Sequence, residues 1–129
     1  MSPEHLFKGL ADPTRLRIAM LLLKSELCVC DLMAVLQMPQ STVSRHMSRL
    51  KSSGIVVDRR AGKWVHYRMA ETAAVSELST YLNRNLSRLV PYHSDRTTLR
   101  RLVRSSGCAK ELTSDVSKQP GSKRSMARN

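Results

Sequence analysis

Two cysteines separated by a single residue, Cys28-Val29-Cys30, stand next to an acid, Asp31, and a third thiol follows far downstream at Cys108. Three thiols with this spacing do not make a disulfide framework. In a reducing compartment they are expected to act as ligands for a soft ion or as a redox pair. A second group of chemically useful residues lies just after them. Ser41, Arg45, Ser48 and Ser52, with Arg49 beside them, share the side opposite Val43, Met47 and Leu50 when residues 40–53 are wound at about 100° per residue. Small hydroxyls let a helix backbone come close to a surface, and arginines reach base edges or phosphates, so this face suits a DNA major groove. His46 lies on the flank of the apolar stripe, where it anchors the backbone or packs. A third group, Arg59, Arg60, Lys63 and His66, sits in a β-prone stretch whose tip suits phosphates or a minor groove.

The elements that must position these groups can be read from local signals. Pro3 starts a first helix with Leu6, Phe7 and Leu10 on one face. Asp12-Pro13-Thr14 starts a second, an N-cap acid followed by a proline in the first turn. Leu16, Ile18, Ala19, Leu22 and Leu23 carry it to about Lys24. Residues 28–36 form a short helix through Leu32, Val35 and Leu36, closed by Gln37-Met38-Pro39. Residues 40–53 follow as a helix stopped by Gly54. The period then changes: residues 55–60 and 64–69 read as strands around a turn at Ala61-Gly62-Lys63. A long helix is predicted over residues 71–89, with Pro91 stopping or kinking it, and a further helix from about residue 94 to 106. Two short helices joined by a tight turn make a helix-turn-helix, and the hairpin after it makes a wing. The fold expected is mainly α with a small β-hairpin, divided as 1–92, a DNA-binding and dimerisation domain; 93–112, a helical extension; and 113–129, a disordered basic tail.

Composition agrees with a polyanionic partner. The 129 residues carry 22 Lys and Arg against 10 Asp and Glu, a formal charge of +12. Residues 40–68 hold a net +6 and residues 84–104 a net +5 by count, so the excess is concentrated where the motifs lie. The basic block at 84–104 adds non-specific phosphate contacts or is a solvated helix face. No apolar run is long enough to span a membrane, and no signal-peptide pattern opens the sequence, so a cytoplasmic protein is expected. No nucleophile–base pair and no glycine-rich phosphate loop is evident, which argues against an enzyme and against an organic cofactor. Met20, Met33, Met38, Met47 and Met69 fall on apolar faces and read as core filler rather than as copper ligands.

Four blocks occur in one order: residues 10–18, LADPTRLRI; residues 26–32, ELCVCDL; residues 40–47, QSTVSRHM; and residues 54–56, GIV. Together they resemble the arsenical-resistance repressor (ArsR/SmtB) family over roughly residues 5–92. The resemblance implies a homodimeric winged helix-turn-helix repressor. Its dimer would form through residues of about 3–10 and 71–90, on a double-stranded inverted-repeat operator. Gln40, Ser41, Thr42, Ser44, Arg45, His46, Ser48 and Arg49 would meet or anchor the major groove, and Arg59, Arg60, Lys63 and His66 would serve the wing. Cys28 and Cys30 match the family's site for trivalent arsenic or antimony as inducer. Some relatives place a third cysteine where Met33 stands here. Cys108 would then complete the site, or a small-molecule thiol or water would. Cadmium- or lead-responsive relatives share the Cys-x-Cys block, and a thiol redox switch through Cys28–Cys30 or Cys28–Cys108 is the other alternative. In a regular helix the two cysteines would point about 200° apart, so shared binding is expected to unwind the first turn. The helix N-terminus is expected to ease thiolate formation.

Overall fold

A computed structural model describes residues 3–105 of the chain. Within them, helix α1 spans Pro3–Leu10 and α2 spans Pro13–Leu22. A two-residue strand β1, Leu27–Cys28, leads into α3, Val29–Leu36, and α4, Gln40–Ser52. Strands β2, Val56–Ala61, and β3, Trp64–Met69, are followed by α5, Ala73–Leu86, and α6, Val90–Ser105. The strands form one antiparallel sheet in the order β1-β3-β2.

Local chemistry sets the helix ends. The Asp12 carboxylate accepts from the Thr14 and Arg15 N–H groups at 2.9 and 3.1 Å and caps α2. Arg15 turns back in the opposite direction. Its guanidinium donates to the Gly9 carbonyl at 2.6 Å and the Lys8 carbonyl at 3.2 Å, satisfying the end of α1. α3 ends at Gln37 in the left-handed region, φ 57°, with its N–H on the Met33 carbonyl. Thr72 caps α5 by accepting from the Val75 N–H.

The core is a single cluster in which Ile18, Leu32, Val43, Leu50, Ile55 and Val75 are fully enclosed. Met20 and Met47 are buried, and Met33, Met38 and Met69 pack against the cluster. All five therefore fill the core, as their spacing predicts. The stripe Val43, Met47, Leu50 seats α4 on the body and turns its other face to solvent.

Four features depart from the sequence reading. β1 is an added strand, so the hairpin is part of a three-stranded sheet. Phe7 does not share the buried face of Leu6; it is 62% exposed. The predicted long helix stops at Leu86, and the next begins at Val90, earlier than expected. Pro91 neither stops nor kinks a helix there: it occupies the first turn of α6, where a missing N–H costs nothing. The helix itself, α6, lies against α2 and α3. It is fastened by the Arg17 guanidinium, which grips the buried Asp95 carboxylate in two hydrogen bonds of 2.9 and 2.8 Å.

Candidate thiol site and nucleic-acid interface

Cys28 is at once the last residue of β1 and the N-cap of α3, with φ −90° and ψ 166°. That extended conformation changes the geometry expected of a Cys-x-Cys pair. Only Cys30 lies inside the helix, so the two side chains converge, and their Sγ atoms stand 2.6 Å apart. The expectation that the first turn must unwind to bring both sulfurs together is therefore corrected: the sulfurs already face each other. Asp31 joins them. Its carboxylate accepts the Cys28 N–H at 3.1 Å, and one ligand atom from each of Cys28, Cys30 and Asp31 lies within 4.8 Å of the others, all three residues being buried. The second correction concerns the thiol. Burial pushes the Cys28 thiol well above its usual range, and the Asp31 carboxylate pushes it further, outweighing the backbone N–H groups of the helix start. The expected lowering does not occur. Cys108 lies outside the described residues.

The helix-turn-helix follows directly. α3 and α4 are joined by Gln37-Met38-Pro39, and α4 exposes Gln40, Ser41, Arg45, Ser48 and Arg49 on its outer face. Thr42 and Ser44 are half-buried beside them. Among the described residues, Arg45 and Arg49 make no ion pair, which leaves both guanidinium groups available to an outside anion. His46 is half-buried, and its Nδ1 lies 3.8 Å from the Asp12 carboxylate, so it ties α4 to the start of α2. Burial works against the Asp12 carboxylate, but the Arg15 N–H, the charges of Arg15 and His46, and the Thr14 N–H together hold its pKa below the ordinary carboxylate value.

The wing brings only part of its predicted set to the surface. Arg60 and Lys63 are exposed near the Gly62 turn and unpaired among the described residues. Arg59 is committed elsewhere: it donates to both Glu26 carboxylate oxygens at 2.8 Å. That bond holds the Glu26 carboxyl below its usual pKa, against the opposing effect of burial. His66 is not a wing-tip residue at all. It is 8% exposed, directly opposite Cys28 in the β1–β3 register and opposite Arg59 in β2–β3. The resemblance groups it with the wing residues, but the added strand β1 pairs beside it and it is buried. Burial lowers its pKa, and the nearby Arg59 charge lowers it further. Glu26 was missed as a functional neighbour because nothing local marks a partner 33 residues away.

A three-stranded antiparallel sheet attached to two helices of this geometry defines a winged helix-turn-helix. The profile described as "Bacterial regulatory protein, arsR family" matches residues 12–57. The arsenical resistance operon repressor of Escherichia coli is 54% identical over 69 residues, covering 53% of this chain and 59% of that one. The cadmium resistance regulatory protein CadC homolog of Staphylococcus aureus is 43% identical over 68 residues, covering 52% of this chain and 56% of that one. The chain thus spans less than two thirds of these relatives' length. Among solved structures, HlyU from Vibrio cholerae superposes with a TM-score of 0.61 at 31% identity, covering 64% of this chain and 89% of HlyU. A homodimeric winged helix-turn-helix DNA-binding domain from Mycobacterium bovis, a possible ArsR-family regulator, gives 0.57 at 30% identity over 67% of this chain and 83% of its own. This chain belongs to the arsR family of bacterial regulatory proteins.

Proposed function

We propose that the chain is a homodimeric transcriptional repressor that binds an inverted-repeat operator and releases it when trivalent arsenic or antimony is taken up by Cys28 and Cys30. The observation that carries this reading is the convergence of the two sulfurs at the start of α3, the first helix of the motif. α3 packs on α4, so a change at the sulfurs acts on the helix that presents Ser41, Arg45, Ser48 and Arg49. Gln40, Thr42, Ser44 and the anchor His46 complete the groove-facing set, and Arg60 and Lys63 extend it to the wing. Coupling between such sites is typically about 1–3 kcal/mol. The activity is binding and release rather than catalysis, with no organic cofactor, in the cytoplasm where an operator is found. Among the described residues, no helix is long and apolar enough to cross a membrane.

Charge favours the metalloid over a divalent cation. Arsenous acid exchanges hydroxyl groups for thiols and releases water, so each thiol brings its proton and the bound species stays neutral. Cadmium or lead needs both thiols ionised before they ligate, and burial beside the Asp31 carboxylate works against the Cys28 thiolate. The third position on arsenic falls either to Cys108 or to an oxygen that the ion keeps.

Dimerisation is supported by exposed apolar side chains among the described residues. Phe7 on α1 and Tyr81 on α5 are 62% and 59% exposed, and Leu89 and Val90 at the α5–α6 junction are exposed as well. α5 buries Val75 and Leu82, packs Leu78 against the core, and leaves the face that carries Tyr81 open.

Fluorescence anisotropy of the reduced protein on the DNA upstream of its own gene tests the reading. Arsenite at low concentration is expected to release the wild type and to leave Cys28→Ser and Cys30→Ser bound. Release by cadmium but not arsenite would turn the reading to a divalent sensor. Release by peroxide alone would turn it to a redox switch.

A further inference from the structure

One buried polar atom on the strand facing Cys28 has no partner among the described residues. The Nε2 of His66 is enclosed and makes no hydrogen bond among the described residues, and His66 as a whole is 8% exposed. Leaving such an atom unsatisfied is unfavourable, and each case calls for an explanation. Its position supplies one. β1 and β3 pair with Cys28 directly opposite His66. Opposite residues of an antiparallel pair project from the same face with Cβ atoms about 4.5–5.5 Å apart. The imidazole therefore lies on the same face of the sheet as the Cys28 side chain, one strand away. The Glu26–Arg59 ion pair lies on that face too, since Arg59 is opposite His66 on the other side.

Trivalent arsenic takes three ligands, and the described site offers two sulfurs. When arsenous acid reacts with two thiols, two As–O bonds break, two As–S bonds form, and two waters leave with the thiol protons. No electron changes hands. The product keeps one hydroxyl on arsenic, and a buried hydroxyl needs a hydrogen-bond partner. We propose that His66 is a positioning residue for the inducer, whose Nε2 hydrogen-bonds the hydroxyl that remains on trivalent arsenic held by Cys28 and Cys30. This deepens the arsenic-sensor reading and rests on it. In this role His66 makes the site selective for an arsenical with an oxygen in the third position. It also connects the inducer to β3, the central strand of the wing.

The test separates two arsenicals by their third ligand. Arsenite leaves a hydroxyl on arsenic after reacting with two thiols. Phenylarsine oxide reacts with the same two thiols, loses its oxygen as water, and carries a phenyl carbon in the third position. Full-length wild type, His66→Phe, His66→Gln and Cys108→Ser are titrated with each compound under a phosphine reductant, which adds no competing thiol. Binding is read from the fluorescence of the single tryptophan, Trp64, and confirmed by counting the thiols consumed. His66→Phe is expected to weaken arsenite about tenfold, the usual scale for one buried hydrogen bond, and to leave phenylarsine oxide within about twofold. His66→Gln, which keeps an acceptor, restores most of the arsenite affinity, and Cys108→Ser leaves arsenite unchanged. Equal weakening of both arsenicals would mean a packing role and overturn the inference. So would arsenite affinity that is unaltered in His66→Phe, or that is lost in Cys108→Ser. In each of those cases wild type still takes up arsenicals and the sensor reading stands; uptake of neither compound by wild type sinks both.

Discussion

Replacing Glu26 with Gln should make the protein hold DNA more tightly, although Glu26 carries no positive charge and is absent from the predicted DNA face. The reason is the bidentate bond that occupies Arg59, with both oxygens engaged at 2.8 Å. While that bond lasts, the Arg59 guanidinium is neutralised and offers little to a phosphate. A glutamine cannot match the charge or the paired geometry, so Arg59 joins Arg60 and Lys63 on the wing. Each phosphate neutralised on duplex DNA adds about 0.9 to the slope of log affinity against log salt. Glu26→Gln should therefore steepen that slope by about 0.9 per protomer, or about 1.8 for a dimer engaging both wings. Near physiological salt the same relation gives a gain of about fivefold per protomer before the cost of ordering the side chain. The assay is anisotropy on a fixed duplex over a series of potassium chloride concentrations. Arg59→Ala in an otherwise unchanged protein serves as control: because the side chain is already committed, its slope should match the wild type. A Glu26→Gln slope equal to the wild type, or an Arg59→Ala slope already shallower by a full phosphate, would refute the assignment of Arg59 to Glu26 rather than to DNA.

Three further outcomes follow from the geometry. Asp12→Ala should cost about 1 kcal/mol of stability at neutral pH through the lost cap. Because the folded Asp12 carboxyl titrates below its ordinary 3.8, that contribution is present above about pH 4 and fades as the pH falls through the lowered value, so wild type and variant should converge in acid melts. Gly9→Ala would place a Cβ 2.5 Å from the Ser53 Oγ, 2.7 Å from the Ser53 Cβ and 2.8 Å from the Ile55 Cδ1. Overpacking of about 1–3 kcal/mol should outweigh the helix-propensity gain of at most about 1 kcal/mol; a thermal melt at or above the wild-type midpoint would contradict it. Phe7→Asp should leave the melt of the helical body close to wild type, since the ring is exposed. It should also shift sedimentation toward the monomer and weaken operator binding together; an unchanged sedimentation profile would remove α1 from the dimer contact.

Much of this architecture was legible because its signals are local. Pro3, Asp12-Pro13, the 43/47/50 stripe and Gly54 each act within a turn or two, and α1, α2 and α4 begin and end close to where those residues place them. The thiol pair was legible as a site but not as a geometry. Its shape depends on Cys28 being extended, and Cys28 is extended because β1 pairs with β3, whose partner residues lie some 40 positions further on. A two-residue strand has no periodicity of its own. The same long-range pairing lies beside the buried His66, which the sequence reading grouped with the wing residues. Arg59–Glu26 and Arg17–Asp95 were invisible for a related reason: ion pairs 33 and 78 residues apart leave no spacing to read. Pro91 misled the α5–α6 boundary because a proline that stops one helix is equally suited to the first turn of the next.

The shortness of β1 has a consequence for how the molecule breathes. β2 and β3 are joined along six residue pairs and by their own turn, whereas β1 is joined to β3 by two. The hairpin can therefore persist while the first strand peels away, and opening β1 belongs to the low-energy end of local unfolding. Peeling would carry Cys28 out of its enclosure, draw the Glu26 side away from Arg59, and bare one edge of β3 at Tyr67 and His66. Slow amide exchange across β2–β3 and fast exchange on the β1 side would mark the sheet as two cooperative units. The gate through which a small solute reaches the enclosed sulfurs would then be a strand of two residues.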